Sequence, residues 1–305
     1  MNIVIVGAGA IGLLFYQQLY TQNKKQAQRQ LALKARKQGP AHFSFTHFQG
    51  LSYQIPINYT DQQSIANADV ILICVKSYQI DQALNQLIPY LPKKINIILC
   101  HNGMGVLTKQ TLLDLSAQQP LLTLLTTHGS KKTSACHIIH TGLGFCDLGL
   151  LQGKLSSEDK NQLIAEFANS QLNVHWQNNI SEKQWLKLAI NCVINPLTAI
   201  NNINNGELYS VKYQQTIKTL IQEFISVAAS QGQNMVFEDV YALVMTVAEK
   251  TALNCSSMRS DVIKQQPTEI NYINGYLVTL ADKANINVPE NKKLCQQINQ
   301  LTKLY

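Results

Sequence analysis

The first hundred residues carry their apolar positions in short unbroken runs: NIVIV at 2–6, QLAL at 30–33, VILICV at 70–75 and INIILC at 95–100. Runs of this length, rich in Val and Ile, predict strands. Their lack of polar alternation predicts parallel strands buried on both faces. After the first run, LLFYQQLY predicts a helix. Between 121 and 150 the pattern changes. LLTLLTTHGS and CHIIHTGLGFCDLG predict short strands around a turn at GSKKTS, an antiparallel extension that closes the first domain. Beyond about Asn178 the strand pattern stops, and segments 181–200, 208–231, 237–254 and 268–285 carry helical periodicity. The expected fold class is therefore α/β: a doubly wound parallel sheet domain over 1–178, then an all-α domain over 179–305.

One helical segment breaks its own pattern. WLKLAINCVINPLTAI at 185–200 is apolar nearly all round, as a buried helix should be. It nevertheless places Lys187, Asn191 and Asn195 at intervals of four, within an arc of about 80° at roughly 100° per residue. SEKQ at 181–184 fits a capping box at the helix start. A narrow solvated stripe would explain the three residues. A polar cavity explains them better, because a buried lysine needs partners and proton-transfer catalysts are placed in this way. In PTEINYINGYLVTLA, a helical wheel sets Glu269 with Tyr272, Ile273, Tyr276 and Leu280 on the apolar side and turns Asn271 and Asn274 elsewhere. A first-turn glutamate often only complements the helix dipole, but on a packed face it suits a substrate hydroxyl. Asn254, Ser256 and Ser257 in NCSSM add hydrogen-bonding groups suited to a carboxylate.

The chain's first strand leads into GAGAIG, followed at once by the predicted helix. Strand, glycine turn and helix in this order form the dinucleotide fingerprint of a Rossmann-type domain. Gly7 permits the tight turn, Gly9 lets the backbone approach a pyrophosphate, and Gly12 lets helix and strand pack closely. With Ala8, Ala10 and Ile11 these residues make the expected cofactor loop, and the helix N-terminus supplies a positive end. An NAD-preferring site places an acidic residue at the end of the second strand. Residues 1–60 contain no Asp or Glu; Lys34, Arg36 and Lys37 stand there instead. That set suits a 2′-phosphate, so NADPH is expected over NADH, with Arg36 the best single candidate because guanidinium grips phosphate with two bonds. Lys76 and Asn102 stand at the ends of the next two strands, where ligands bind in such sheets.

Composition narrows the function classes. The 305 residues are 46% hydrophobic and 14% charged, which suits a globular protein with a full-sized core. No apolar run approaches the ~20 residues of a membrane span, and the N-terminus reads as a strand with no leader pattern. Seven cysteines without a CxxC pair suggest neither a disulfide framework nor a zinc site, and a reducing cytoplasm is the expected location. His128, His137 and His140 lack acidic neighbours at ligand spacing, and a strand turns His137 and His140 to opposite faces, so no metal is expected. The net charge of +7 includes a cluster of Lys24, Lys25, Arg29, Lys34, Arg36 and Lys37. No basic stripe interleaved with aromatics accompanies it, so nucleic acid is not an expected partner.

Together these pieces resemble the ketopantoate reductases over essentially the whole chain. The resemblance rests on GAGAIG (7–12), VKSYQ (75–79), HNGMG (101–105), TTHGS (126–130), WLKLAINCVINPLTAI (185–200), NNGEL (204–208), SSM (256–258) and TEINYINGY (268–276). It implies NADPH-dependent reduction of 2-dehydropantoate to (R)-pantoate in the pantothenate pathway. By position it implies Lys187 as general acid and Glu269 as the holder of the substrate hydroxyl, also reaching the cofactor. It further implies Asn102, Asn191, Asn195, Asn205, Asn254 and Ser257 around substrate and nicotinamide, Lys76 beside the cofactor, and Arg36 at the 2′-phosphate. A cytoplasmic monomer or homodimer is expected. In residues 129–132, GSKK departs from the Ala-Ala-Arg-Arg more usual in the family, and residues 21–40 are longer and more polar than usual. A reductase for another 2-keto acid and a nucleotide-binding regulator without chemistry are the rival readings.

Overall fold

The computed structural model describes residues 1–23, 30–115, 119–168 and 170–303. Lys24, Lys25 and Arg29 of the basic cluster lie outside them. Contacts divide the chain into two compact units. One holds Met1–His101 and Leu107–Ile180, the other Asn102–Val106 and Ser181–Tyr305.

The first unit runs β1 (Ile3–Val6), α1 (Ala10–Asn23), β2 (Leu31–Lys34), β3 (His42–Thr46), β4 (Ser52–Pro56), α2 (Gln62–Ala66), β5 (Val70–Ile73), α3 (Ser77–Asn85), β6 (Asn96–Leu99), α4 (Lys109–Asp114), β7 (Leu121–Thr126), β8 (Gly129–Ser134), β9 (His137–Gly142), β10 (Cys146–Gln152), α5 (Ser157–Ala168) and β11 (Val174–Trp176). Seven strands form one sheet in the order β11-β10-β7-β6-β5-β1-β2. From β2 to β7 neighbouring strands are parallel, and β1, β5 and β6 are buried at every position, as their unbroken apolar runs predict. The chain passes from β1 to β2 on one side and returns to β5 on the other. The ends of β1 and β5 therefore flank the switch point at which doubly wound sheets bind ligands.

A second sheet, β4-β3-β9-β8, was only partly legible. Its hairpin β3–β4 carries exposed Phe48, Leu51 and Tyr53 among polar residues, which blurs the alternation. GSKKTS, expected as a turn, is the edge strand β8, and the turn falls one step later, between β8 and β9. Hydroxyl and lysine side chains suit an edge strand, where one side of the backbone meets water.

Two buried histidines join β9 to the link before β8. The Gly144 N–H donates to His128 Nδ1 (3.2 Å), so that nitrogen is an acceptor and Nε2 carries the proton towards the Leu172 carbonyl (3.0 Å). His140 Nε2 lies 3.3 Å from the same His128 Nδ1. His137 turns away to Thr46 and Thr133, as strand alternation requires. Among the described residues no group of three or more His, Cys, Asp or Glu is arranged to hold a metal ion.

The second unit is helical: α6 (Ile180–Asn201), α7 (Val211–Ser230), α8 (Phe237–Lys250), α9 (Ser257–Ile263), α10 (Asn274–Lys283) and α11 (Pro289–Lys303). Its core gathers around α6, with Trp185, Leu188, Cys192 and Leu197 against Ile217, Phe224, Val244, Leu277 and Ile298. The fold class is the expected one, a parallel-sheet α/β unit followed by helices. No helix among the described residues is long and apolar enough to cross a membrane.

Burial, and then the proximity of His128, lowers the His140 pKa from its ordinary 6.5 to about 4. Below pH 6.5 the unfolded chain takes up a proton that the folded chain refuses. The stability this neutral pair contributes is therefore complete above 6.5 and drains away as the pH falls towards 4. Urea midpoints should drop between pH 7 and pH 5, and His140→Phe should flatten that drop. Parallel pH profiles for the two proteins would refute the assignment.

Candidate active site

In the sheet unit the candidate residues gather at the loop after β1. The Gly7 N–H donates to the Lys34 carbonyl (2.9 Å), which ties the glycine loop to the end of β2. Gly7 has φ +112, and a Cβ there would stand 2.5 Å from the Cys74 carbonyl oxygen beyond β5. A Cβ on Gly12 would overlap the Gly7 carbonyl. These two glycines serve backbone-to-backbone packing. Gly9 differs, because its nearest neighbour would be 4.0 Å away. The open side of the loop is thus at Gly9, at the start of α1, where free amides suit a pyrophosphate. The residues present fit a dinucleotide. Ala8, Ala10 and Ile11 complete the loop, Arg36 is exposed just past β2, and Lys76 precedes the first turn of α3.

Sequence reasoning left two contacts of this loop unnoticed. Ser130 Oγ donates to the Ala10 carbonyl (3.1 Å) and Lys132 Nζ donates to the Ala8 carbonyl (2.8 Å). Both come from β8, the segment expected to be a turn. The i, i+2 spacing of Ser130 and Lys132 was the available signal, since it puts both on one face of a strand.

The helical unit has its own set of candidate residues. Lys187 and Asn191 on α6 are half-buried and Asn195 is buried. Asn191 Nδ2 is enclosed with no hydrogen-bond partner, and so is Asn205 Oδ1, although Asn205 Nδ2 reaches Thr251 Oγ1 (2.9 Å). Burying such atoms unpaired costs free energy that a polar ligand could return. The segment Asn102–Val106 packs here too: Met104 N–H donates to the Tyr272 carbonyl (2.8 Å), and Gly103 at φ +76 leaves no room for a Cβ against the same carbonyl. That placement brings Asn102 Nδ2 to 3.0 Å from Glu269 Oε2. Glu269 is 4% exposed.

The region 268–285 is not the continuous helix expected. A short 3-10 turn at Ile270–Tyr272 ends at Ile273, and α10 starts afresh at Asn274. The wheel therefore loses its phase. Glu269 is buried all the same, but Asn274, expected to point elsewhere, is fully buried. Its task follows from Pro196 inside α6. Proline has no N–H, so the Cys192 carbonyl four residues earlier loses its helical donor. Asn274 Nδ2 donates to that carbonyl (2.8 Å) and to Asn291 Oδ1 (2.9 Å). Asn291 Nδ2 in turn donates to the buried Glu223 (2.7 Å), whose carboxylate also accepts the Glu290 and Asn291 amides that open α11.

Around the serine cluster, Ser256 and Ser257 divide their roles. Ser256 is buried; it caps α9 by accepting from the Arg259 amide (3.1 Å) and stands 2.7 Å from Thr198 Oγ1 on α6. Ser257 and Asn254 are exposed. Arg259 reaches Asn202 (2.9 Å) and Asn204 (2.6 Å), holding the segment that presents Asn205. Its place two residues after Ser257 was the only sequence signal.

The sheet unit and its glycine loop define a Rossmann-type dinucleotide-binding protein with a helical second unit. Sequence profiles described as "Ketopantoate reductase PanE/ApbA" and "Ketopantoate reductase PanE/ApbA C terminal" match residues 3–153 and 179–302. A protein of Vibrio cholerae named 2-dehydropantoate 2-reductase is 34% identical over 304 residues, covering 99% of this chain and 98% of that one. Among solved structures, a PanE/ApbA family ketopantoate reductase from Ralstonia eutropha superposes with a TM-score of 0.85 at 25% identity, covering 99% of both chains. D-mandelate dehydrogenase in complex with NADH and anilino(oxo)acetate shares the fold with a TM-score of 0.86 at 22% identity, also covering 99% of both. The chain belongs to the ketopantoate reductase family.

Asn274→Ala would strand the Cys192 carbonyl and Asn291 in the core. It should destabilise the protein by about 1–3 kcal/mol, the cost of an unsatisfied buried group. Urea unfolding reads this directly. An unchanged midpoint would mean that the carbonyl has found another donor.

Proposed function

We propose that this protein reduces 2-dehydropantoate to (R)-pantoate with NADPH, acting as a cytoplasmic monomer or homodimer. The observation that carries the reading is the buried Glu269 carboxylate with the Asn102 amide at 3.0 Å. A reductase acting on a simple 2-keto acid has no need of a buried acceptor beside an amide donor. A carboxylate buried on the packed face and bound by a side-chain amide suits a substrate with a second hydroxyl, which can share that carboxylate with Asn102. Family membership and the V. cholerae relative support the same substrate.

The cofactor, when bound, supplies the hydride. Ala8–Gly12 and the α1 amides would hold its phosphates, with Arg36 at the 2′-phosphate and Lys76, Asn102 and Glu269 further along. The protein's own part is positioning and proton transfer. Lys187, held as an ammonium, would stabilise the charge that grows on the former carbonyl oxygen and deliver the proton to it. Asn191 and Asn195, one and two turns on along α6, would line the same floor. Asn191 Nδ2 and Asn205 Oδ1 would find in the substrate the partners they lack in the protein. Asn254 and Ser257, exposed at the start of α9, suit its carboxylate.

The direct test is NADPH consumption with 2-dehydropantoate, run beside NADH and a panel of other 2-keto acids, aromatic ones included. Fast turnover of 2-dehydropantoate with NADPH alone is the expected result; preference for another keto acid would discard the substrate. Lys187→Ala should lower kcat by ~10²–10⁴-fold, the usual contribution of a positioned acid. Undiminished turnover in that variant would remove the lysine from the mechanism. Arg36→Ala should raise KM for NADPH and leave NADH nearly unaffected, whereas equal losses would move the 2′-phosphate to Lys34 or Lys37.

A further inference from the structure

The phosphate cradle has a cation that the motif does not predict. Lys132 projects from the edge strand β8 onto the glycine loop and spends one of its three donors on the Ala8 carbonyl (2.8 Å). The side chain is half-buried, and among the described residues no carboxylate pairs with it. Burial lowers its pKa, which is the expected response of an ammonium that has lost water and gained no anion. Ser130, two residues earlier on the same face, fixes the strand to the Ala10 carbonyl (3.1 Å). The ammonium is thereby docked on the turn between Gly7 and α1, whose open side is at Gly9.

Two features separate this lysine from a simple prop. A prop needs one hydrogen bond to Ala8, which a neutral amide would supply without the cost of desolvating a charge. The charge is also well removed along the chain from the basic group after β2, which follows the second strand and not the glycine turn. Resting on the proposed dinucleotide function, we infer that Lys132 is a diphosphate ligand: its ammonium, held by Ala8, pairs with the diphosphate common to NADPH and NADH. Arg36 by contrast serves the 2′-phosphate that only NADPH carries. The two cations divide the cofactor's charge between them, one for affinity and one for selectivity.

Equilibrium titration with NADPH, NADH and ADP-ribose tests the assignment on the full chain without turnover. Lys132→Gln keeps a donor for the Ala8 carbonyl and removes the charge; Lys132→Arg keeps the charge; Lys132→Met removes both. Gln and Met should weaken all three ligands by the same factor, roughly 10- to 100-fold for a charge-assisted hydrogen bond. Arg should stay within a few-fold of wild type, and added salt should narrow the gap. Thermal melts of the ligand-free proteins identify a variant that has lost its fold, and the Gln and Arg pair then carries the comparison. Wild-type affinity in Lys132→Gln would reduce the lysine to a loop prop and overturn the inference alone. A loss confined to NADPH would overturn the diphosphate assignment in favour of the 2′-phosphate. A wild-type protein that binds none of the three would overturn the dinucleotide function as well.

Discussion

A proline inside the buried helix α6 imposes the condition that the helical unit is arranged to meet. Pro196 leaves the Cys192 carbonyl without a donor, in an interior where no water replaces it. Asn274 answers with one amide hydrogen and passes the other to Asn291, and the chain of bonds ends on Glu223 at the start of α11. Four elements are locked together by this one deficit: α6, α10, α11 and α7. The same stretch of α6 carries Asn191 and Asn195 on either side of Cys192, so the bond that repairs the helix also fixes the turn that presents the polar stripe.

The sheet unit meets a different condition, that of backbone against backbone. Gly7 lies on the Cys74 carbonyl and Gly12 on the Gly7 carbonyl, leaving no space for side chains. What remains accessible is Gly9 and the amides at the head of α1. Two sheets define that opening, one through Gly7 and Cys74, the other through Ser130 and Lys132 of β8. The second sheet is thus more than a cover for α1, because it holds the loop and the head of α1 through the Ala8 and Ala10 carbonyls.

The parts of this arrangement that a sequence displays are those governed by local periodicity. Buried parallel strands show as unbroken apolar runs, and the glycine turn shows because only glycine tolerates its packing. The stripe on α6 shows because 3.6-residue spacing survives a proline that the neighbours accommodate. Legibility fails where long-range contacts decide. GSKKTS has turn composition, but its alternate residues find α1 and the glycine loop, and it becomes a strand. The wheel drawn through 268–285 assumed one helix, yet the tight seat of Gly103 against Tyr272 accompanies a break at Ile273 that resets the phase. Asn274 was misplaced for that reason, and the helical break is what turns it inward.

The distribution of charge follows from the same geometry. The first sixty positions, which include the glycine loop, contain no acidic residue, and Glu223 and Glu269 are buried beside hydrogen-bond donors in the helical unit. Glu223 accepts from the Glu290 and Asn291 backbone amides and from the Asn291 side chain, so its oxygens are taken up by donors of the fold. The Glu269 carboxylate accepts from the Asn102 side-chain amide, in a segment that belongs to the helical unit although it follows β6 along the chain. Glu223 lies well inside α7 and is bound into the fold by the donors that open α11, whereas Glu269 precedes the break at Ile273, where a short 3-10 turn replaces a continuous helix.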